Sequence, residues 1–454
     1  TCLGHNETRV AYSSRIEKRR MTDTVTAPPL NPGRLPLAAW CLYDFANSAF
    51  TTIVITFVFA TYFATGIAAD PTIGAAQWSL AMAIAGILIA VLSPILGAIA
   101  DQTGRRKPWL LGVSIMCVTA TALLWFAEPT PSDVPWALTF AVIATVGFEM
   151  GMLFYNAMLP DVSKPETMGR VSGWAWGIGY AGGLLSLVAA LFGFVQADPP
   201  PFGLDTNSAE HVRATSLVVA VWFAVFALPL FVFVKEKERA SLPITTAVRL
   251  GVKQLIGTFQ SARRHANTFR FLIAAMIYTD GVHTVFSLGG VYAGVMFGME
   301  LSEVIMLGIA LNVTAGMGAF AFGWVDDKRG SKPTIIISLL ALIVTSAVVL
   351  SATDRTTFWV AALAMSAFFG PVQAASRTMM ARIAPPHMRG EMFGLFALSG
   401  KVTAFAGPAL VGWVTLVTGS YRFGMMTILV FLIGGLLLLR GVKESPEEYE
   451  PPIS

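Results

Sequence analysis

The sequence predicts an all-α integral membrane protein with twelve transmembrane helices in two pseudo-symmetric six-helix bundles. Three observations support this prediction: the composition, the number of long apolar stretches, and an internal repeat at about half the chain length. Hydrophobic residues occupy 55% of the 454 positions and charged residues 13%, and the mean hydropathy is +0.66. Soluble domains carry about 25% charged residues. This composition excludes a soluble class, and three cysteines are too few for a disulfide scaffold.

A helix that crosses the membrane needs about 20 mostly apolar residues. Twelve stretches meet this requirement, and we number them as spans 1 to 12. Their predicted positions are roughly 38–64, 78–100, 108–128, 136–159, 171–195, 215–234, 271–297, 304–325, 333–352, 358–384, 392–416 and 423–440. The even number of spans predicts that both ends of the chain lie on the same side of the membrane.

The basic residues indicate which side that is. Of 31 Lys and Arg residues, 26 lie in the terminal segments and in the loops that follow even-numbered spans, three lie in the other loops, and two lie inside spans. Cytoplasmic loops carry such an excess, so we expect both termini in the cytoplasm and the protein in the cell (inner or plasma) membrane. Residues 1–20 contain no apolar core, so they do not resemble a secretory signal.

The same pattern divides the chain into five segments. We expect a disordered cytoplasmic arm at 1–37, the first bundle at 38–234, a cytoplasmic linker at 235–270, the second bundle at 271–440 and a cytoplasmic tail at 441–454. The net charge of +4 follows from membrane topology and does not indicate nucleic-acid binding. The expected partners are a small-molecule substrate and membrane lipids, with the protein as a monomer.

The linker contains an amphipathic pattern between residues 244 and 264. One helical stripe is apolar, and it consists of Val248, Val252, Leu255, Ile256 and Phe259. A helix of this kind can lie on the inner membrane surface. It can equally be a simple connection between the two halves, and both interpretations stay open.

Two loops repeat one frame at a constant offset of 226. Gly97-x-x-x-Asp101-x-x-Gly104 ends span 2, and Gly323-x-x-x-Asp327-x-x-Gly330 ends span 8. The glycines allow neighbouring helices to approach closely, and the aspartates can pair with basic residues or with a helix N-terminus. We predict a gating role for both frames and for the basic residues Arg105, Arg106, Lys332 and Arg377. The alternative is an ordinary turn whose basic residues only set the topology.

Other segments repeat in the same order. Asp44-x-x-Asn47-x-x-Phe50 in span 1 matches Asp280-x-x-His283-x-x-Phe286 in span 7. Gly173 and Gly179 match Gly394 and Gly400, which places Tyr180 opposite Lys401. Together these pairs predict two six-helix halves.

The loop frame, the twelve spans and the two halves resemble the major facilitator superfamily. WCLYDFANSAF (40–50), FYNAMLPD (154–161), YTDGV (278–282) and FGLFALSGKVTAFAGP (393–408) are more narrowly similar to the vacuolar amino-acid effluxer family, the autophagy-related permeases and their bacterial relatives. The resemblance covers nearly all of residues 36–440. It implies that spans 1, 4, 7 and 10 line a central cavity and that the protein exports amino acids.

Ionisable residues inside spans are costly and are functional candidates by default. Five stand out: Asp44, Glu149, Asp280, Arg377 and Lys401. We expect Asp44 and Asp280 at the cavity wall as a pseudo-symmetric pair that loads and releases a proton, although each could instead form a static bridge. Lys401 could bind a substrate carboxylate, or it could pair with Asp280 or Glu149. Arg377 is expected to snorkel or to gate.

Polar side chains in the same zone complete the predicted site. They are Asn47, Tyr155, Asn156, Tyr180, His283 and Gln373. Each could hydrogen-bond an amino acid or hold two helices together, and His283 could join a proton relay. Trp174 and Trp176, near the start of span 5, are typical of anchors at the membrane interface.

The function predicted by these features is secondary active transport of a small polar solute, with amino-acid efflux and proton coupling as the expected specifics. The alternatives are a proton-coupled carrier of a sugar, metabolite or drug, and a sensor that does not transport. An enzyme is not expected, because the five histidines form no HExxH pair and no GxSxG elbow occurs. No metal and no cofactor are expected.

Overall fold

The structure, a computed structural model, describes residues 33–236, 244–260, 265–404 and 406–444. Within these residues twelve helices are long and apolar enough to cross a membrane. The predicted all-α fold is therefore confirmed. The spans are Arg34–Ile67, Pro71–Thr103, Lys107–Phe126, Pro131–Ala157, Pro165–Val195, Glu210–Phe233, Ala266–Phe297, Glu303–Arg329, Ser331–Ser351, Arg355–Ile383, Arg389–Thr418 and Tyr421–Arg440. Most of the predicted N-terminal arm and C-terminal tail lies outside the described residues.

Most spans begin several residues before the apolar stretch that predicted them, and in span 2 a polar side chain caps the added turn. Span 2 starts at Pro71, where Asp70 Oδ1 accepts hydrogen bonds from the backbone N–H groups of Thr72 (2.8 Å) and Ile73 (3.1 Å). Such a cap satisfies donors that the first helical turn leaves free. The N–H groups of Ile73 and Thr72 also hold the pKa of the Asp70 carboxyl below its usual range.

Several spans are not continuous α-helices. Span 1 continues from Arg34–Ala49 into a π-helical segment, Phe50–Phe57, and span 11 divides into Arg389–Val402 and Ala406–Thr418. Span 10 likewise consists of Arg355–Ser366 and Phe369–Ile383. Irregular turns of this kind occur often at functional sites, and those in spans 1 and 11 border the cavity described below.

Spans 1–6 form one bundle and spans 7–12 form a second. In the first bundle span 1 packs on spans 5 and 6, span 2 on span 4, and span 3 on spans 4 and 6. The second bundle repeats each pair with the span numbers raised by six: span 7 packs on 11 and 12, span 8 on 10, and span 9 on 10 and 12. This correspondence confirms the predicted pseudo-symmetry.

The two bundles meet mainly along two helix pairs, span 2 with span 11 and span 5 with span 8. Glycine makes both contacts possible. A Cβ atom added to Gly394 would lie 2.4 Å from the carbonyl oxygen of Ser93, and one added to Gly173 would lie 2.4 Å from that of Ala319. Larger residues could not fit there, so small side chains determine how closely the halves approach.

The linker forms a helix, Ile244–Gln260, that turns most of its apolar stripe away from the bundles. Val248, Val252 and Ile256 are exposed, whereas Leu255 is buried; the side chain of Phe259 lies outside the described residues. The helix packs on span 2 through Gly251, because an added Cβ there would lie 2.9 Å from the backbone nitrogen of Ile99. Small residues permit this contact, which a hydrophobicity pattern does not reveal.

A polar chain also links this helix to both bundles. The amide of Gln254 accepts a hydrogen bond from Gln102 of span 2 and donates one to Glu391 of span 11, at 2.5 Å. The linker helix therefore bridges the two bundles where span 2 ends and span 11 begins.

Candidate substrate cavity

A cavity of about 430 Å³ lies between the two bundles. Pockets of about 300–1,000 Å³ commonly hold small-molecule ligands. Nine of the residues singled out from the sequence line it: Asp44, Asn47, Glu149, Asn156, Tyr180, His283, Gln373, Arg377 and Lys401. Two candidates, Tyr155 and Asp280, are not among the lining residues.

Arg377 of span 10 forms one part of the cavity lining together with Asp44 and Asn156, and we call this part the floor. Its Nη1 lies 3.0 Å from Asp44 Oδ2 and donates to Asn156 Oδ1 at 3.3 Å. Its Nε and Nη2 donate to the hydroxyl (2.9 Å) and the backbone carbonyl (2.6 Å) of Ser172. Only 2% of Arg377 is exposed. Snorkelling to the membrane surface is therefore the wrong interpretation, because this guanidinium is buried and joins span 10 to spans 1, 4 and 5.

Three aromatic rings surround the same guanidinium. The ring centroids of Trp40, Tyr155 and Trp176 lie 5.0, 5.6 and 5.8 Å from its central carbon. Aromatic faces attract cations at such distances. Tyr155 also stacks on Trp40 with centroids 4.3 Å apart. Since Tyr155 is not among the lining residues, it packs behind the Arg377 side chain.

Trp176 lines the cavity and is not an anchor at the membrane interface. Trp174 likewise stacks on Phe320 of span 8, with ring centroids 5.7 Å apart. The feature of the sequence that could have placed Trp176 at the cavity is its spacing from Tyr180. It precedes Tyr180 by four residues, so both share one helix face.

Glu149 and Lys401 form a second ion pair across the cavity. Lys401 Nζ of span 11 lies 2.6 Å from Glu149 Oε1 of span 4, and both side chains are partly exposed. His283 lines the cavity near both charges. Of the alternatives for Lys401, pairing with Glu149 is the one that the structure shows in this state.

Asp280 occupies a different environment from Asp44, although the repeat relates them. It is buried midway along span 7, and its Oδ2 accepts a hydrogen bond from the backbone N–H of Gly407 at 3.1 Å. Within the described residues, Oδ1 has no hydrogen-bond partner and no cation lies within ion-pair distance. Asp280 therefore packs against span 11 instead of the cavity wall, which corrects the expected symmetric placement.

The remaining polar candidates make contacts around the floor. Asn47 Nδ2 donates to Asp44 Oδ1 at 3.4 Å. Gln373 Nε2 lies 3.5 Å from the Tyr180 hydroxyl, which links span 10 to span 5.

The loop aspartates close one end of the molecule. We call it the basic end, because the loops with most Lys and Arg residues lie there. Asp101 Oδ1 and Oδ2 accept from the backbone N–H groups of Gly390 (3.0 Å) and Glu391 (2.9 Å) in the first turn of span 11. Arg106 Nη2 lies 2.9 Å from Asp101 and Nη1 lies 3.3 Å from Asp161. Asp101 thus crosses from the first bundle to a helix N-terminus of the second.

Asp327 makes the reciprocal contact. Its Oδ1 accepts from the backbone N–H of Arg170 (3.0 Å) in the first turn of the helix Met168–Ala190, and Arg170 Nε lies 3.2 Å from Oδ2. Carboxylates are favoured at helix N-termini. The two frames therefore provide matched ties between the halves.

The other members of the frames have different positions. Gly104 and Gly330 adopt positive φ angles of 67° and 93° where spans 2 and 8 end. Lys332 Nζ donates to the carbonyl of Arg440 at 2.8 Å, inside the second bundle, and Arg105 is exposed. The bundles also approach closely at Gly97, where an added Cβ would lie 2.1 Å from the carbonyl oxygen of Gly390, and at Gly323, where it would lie 2.8 Å from the Cα of Arg170.

Known proteins resemble this chain along most of its length. A family model described as "Vacuole effluxer Atg22 like" matches residues 75–446. An uncharacterized MFS-type transporter of Bacillus subtilis (strain 168), YxiO, is 26% identical over 426 residues, which cover 92% of this chain and 96% of that protein. Autophagy-related protein 22 of Cryptococcus neoformans var. neoformans serotype D (strain JEC21) is 26% identical over 310 residues, 62% of this chain. The match spans about half of that fungal protein, 52% of its length.

Solved structures show the same fold. The proton:xylose symporter XylE has a TM-score of 0.69 and 12% identity, with 91% of this chain and 97% of that chain covered. FucP in the outward conformation has a TM-score of 0.65 and 13% identity, with 89% and 98% covered. Both structures belong to the major facilitator superfamily. The chain is thus a multi-pass membrane transport protein with the major facilitator fold, and it belongs to the Vacuole effluxer Atg22 like family.

Proposed function

We propose that this protein is a secondary active transporter that exports amino acids by alternating access and couples their movement to protons. One observation carries the proposal. The central cavity contains two ion pairs, Asp44–Arg377 and Glu149–Lys401, and each joins an acid of the first bundle to a base of the second. A solute at this point contacts both halves, so its binding can bias how they rock against each other.

Alternating access follows from where the bundles are tied. The Asp101 and Asp327 ties lie at the basic end, whereas the outer segments Phe50–Phe57 of span 1 and Ala406–Thr418 of span 11 pack within their own bundles. The described state is thus closed at the basic end. Breaking the two matched ties opens that end to the cavity.

The charges in the cavity support amino acids as the substrate. A free amino acid carries one ammonium and one carboxylate group, and the cavity contains side chains of both signs beside amide and hydroxyl groups. The family to which the chain belongs is described as a vacuole effluxer, and the proposed export direction rests on that description alone.

Asp280 is the proposed proton carrier. A carboxylate tied to a cation must break that pair to take up a proton, and Asp44 and Glu149 are both paired. Asp280 has no such partner among the described residues, and it lies where spans 7 and 11 meet. Protonation of Asp280 thereby affects the contact of span 11 with the rest of its bundle.

The proposed location is the cell membrane with both termini in the cytoplasm. The 26 basic residues on that side support the orientation. The protein is proposed to act as a monomer, because each chain contains both halves of the cavity.

Counterflow in liposomes tests the function. Purified protein is reconstituted with unlabelled amino acids inside, and a radiolabelled mixture of the protein amino acids is added outside. We expect rapid uptake of label, faster uphill movement with a proton gradient, and no uptake with empty liposomes. If the labelled mixture is not exchanged, the amino-acid assignment is wrong.

A variant separates coupling from transport. Asp280→Asn is expected to abolish gradient-driven accumulation and to retain exchange, because the amide cannot carry a proton across. Asp205→Asn, an exposed aspartate in the loop after span 5, is the matched control and should behave as wild type. Gradient-driven accumulation that survives Asp280→Asn would assign the coupling to another group.

A further inference from the structure

We infer that Glu149 and Lys401 hold the two charged ends of the substrate, which replaces their mutual ion pair when it binds. The carboxylate of Glu149 takes an ammonium group, and the ammonium of Lys401 takes a carboxylate. The ligand class is thus a small zwitterion with both groups, as opposed to an amine, an organic acid or a sugar. This inference rests on the proposed amino-acid transport and assigns its binding residues.

The two ion pairs of the cavity differ in how many further hydrogen bonds their side chains can make. The guanidinium of Arg377 has five N–H donors, and its three nitrogens already contact Asp44, Asn156 and Ser172. Three rings surround it, and 2% of the residue is exposed. Arg377 therefore has little room for a substrate carboxylate.

The Glu149–Lys401 pair has free capacity on both sides. An ammonium group has three donors and a carboxylate about four acceptor positions, yet in the described part of the chain each side chain has the other as its one polar contact. Both line the cavity, with 28% of the Lys401 side chain and 21% of the Glu149 side chain exposed. A solute can thus reach both groups from the cavity.

Exchange of partners explains how such a site selects its ligand. A zwitterion placed between the two groups gives each charge a new partner, so no charge is left unpaired in a poorly solvated site. A solute with one charge leaves either Glu149 or Lys401 without a partner, which is strongly unfavourable away from water. The site therefore rejects solutes that lack either charged group.

The positions of the two residues connect binding to movement. Glu149 belongs to span 4 of the first bundle and Lys401 to span 11 of the second. Their direct contact, 2.6 Å between Nζ and Oε1, ties the halves at the cavity. A bound zwitterion keeps this tie but lengthens it by its own size, so the substrate itself connects the halves.

Competition in counterflow tests this assignment. The probe is the radiolabelled mixture of protein amino acids, and the competitors are the same amino acids, their carboxamides and their N-acetyl derivatives. Carboxamides lack the carboxylate, and N-acetyl derivatives lack the ammonium group. In wild type we expect free amino acids to compete about 10-fold better than either derivative, since a hydrogen bond to a charged group has about that effect.

Each single variant of the pair is expected to lose one discrimination only. Lys401→Met should accept carboxamides as well as free amino acids and still reject N-acetyl derivatives, whereas Glu149→Gln should show the opposite pattern. The double variant removes both charges and leaves none unpaired, so it remains informative if a single variant fails to fold. It should lose both discriminations. Glu303→Gln and Arg355→Met, from an exposed ion pair of 3.4 Å outside the cavity, are matched controls and should discriminate as wild type does.

The outcomes separate this inference from the broader proposal. Absence of counterflow in wild type refutes amino-acid transport itself. Counterflow in wild type, with both discriminations kept in the double variant or lost equally in each single variant, overturns the binding assignment and makes the pair a structural tie.

Discussion

Asp101→Asn should open the basic end of the transporter. The change keeps the shape of the side chain but removes its charge, and the side chain is fully buried at the contact between the bundles. Asp101 now receives two backbone N–H groups of span 11, at 3.0 and 2.9 Å, and one Arg106 nitrogen at 2.9 Å. The amide can accept at one oxygen only, so one of the two contacts to span 11 is lost.

The size of the effect follows from that lost contact. A hydrogen bond to a charged group contributes about 1.5–3 kcal/mol, and a carboxylate at a helix N-terminus contributes about 0.3–1 kcal/mol. The retained contact is also weaker without the charge, whereas water replaces part of the loss once this end opens. A net change of about 2 kcal/mol corresponds to about a 30-fold shift towards the open form, since 1.4 kcal/mol is tenfold.

The assay measures the distance between the halves by electron–electron double resonance. Spin labels are placed at Glu166→Cys and Lys328→Cys, two exposed positions at the start of span 5 and near the end of span 8. These labels measure the distance between spans 5 and 8, whereas Asp101 connects spans 2 and 11. A longer distance between the labels therefore indicates that the whole half has moved. The native Cys41 and Cys117 are buried and should not be labelled, and the third cysteine, Cys2, is replaced by Ser in every sample.

Asp161→Asn is the matched control. It also removes a carboxylate from Arg106, but the two residues belong to one bundle. We expect its distance distribution to equal that of wild type. An unchanged distribution in Asp101→Asn, or an equal shift in Asp161→Asn, would refute the gating role of Asp101.

Three further predictions concern the contacts between the halves. Gly97→Ala should impair closure at the basic end and slow counterflow at least 10-fold, because its Cβ would lie 2.1 Å from a carbonyl oxygen, whereas Gly86→Ala, with nothing within 4 Å, should transport normally. Arg377→Met should lower the free energy of unfolding by about 3–5 kcal/mol, because Asp44 is left buried and unpaired. The midpoint of thermal unfolding should rise again when Asp44→Asn is added to Arg377→Met, although transport should not recover. Gln254→Leu should lengthen the spin-label distance, because the linker helix loses its bonds to both bundles.

The spans and the two halves could be predicted from the sequence, because both depend on patterns along the chain. A stretch of about 20 apolar residues has few alternatives to a membrane helix. The constant offset between the Gly97 and Gly323 frames likewise predicted two six-helix halves. The apolar stretches and the repeated frames are both visible along the chain, so neither prediction required knowledge of a tertiary contact.

The linker helix shows what such reasoning leaves out. Its apolar stripe predicted a helix on the membrane surface, and Val248, Val252 and Ile256 face outward, as that placement requires. The contacts to the bundles are made by Gly251 and Gln254, which do not belong to the stripe. A hydrophobicity pattern cannot show that a glycine permits a close helix contact or that an amide has partners on two other helices.

The ionisable residues show the same division between sequence and tertiary structure. Their rarity inside apolar spans was enough to select Asp44, Glu149, Asp280, Arg377 and Lys401, because burying a charge in a membrane helix is costly. Only the folded bundles decide that Arg377 meets Asp44, that Lys401 meets Glu149, and that Asp280 meets no cation among the described residues. The partners come from helices that are distant in the chain, and the rotation of each helix about its axis determines which side chains face each other.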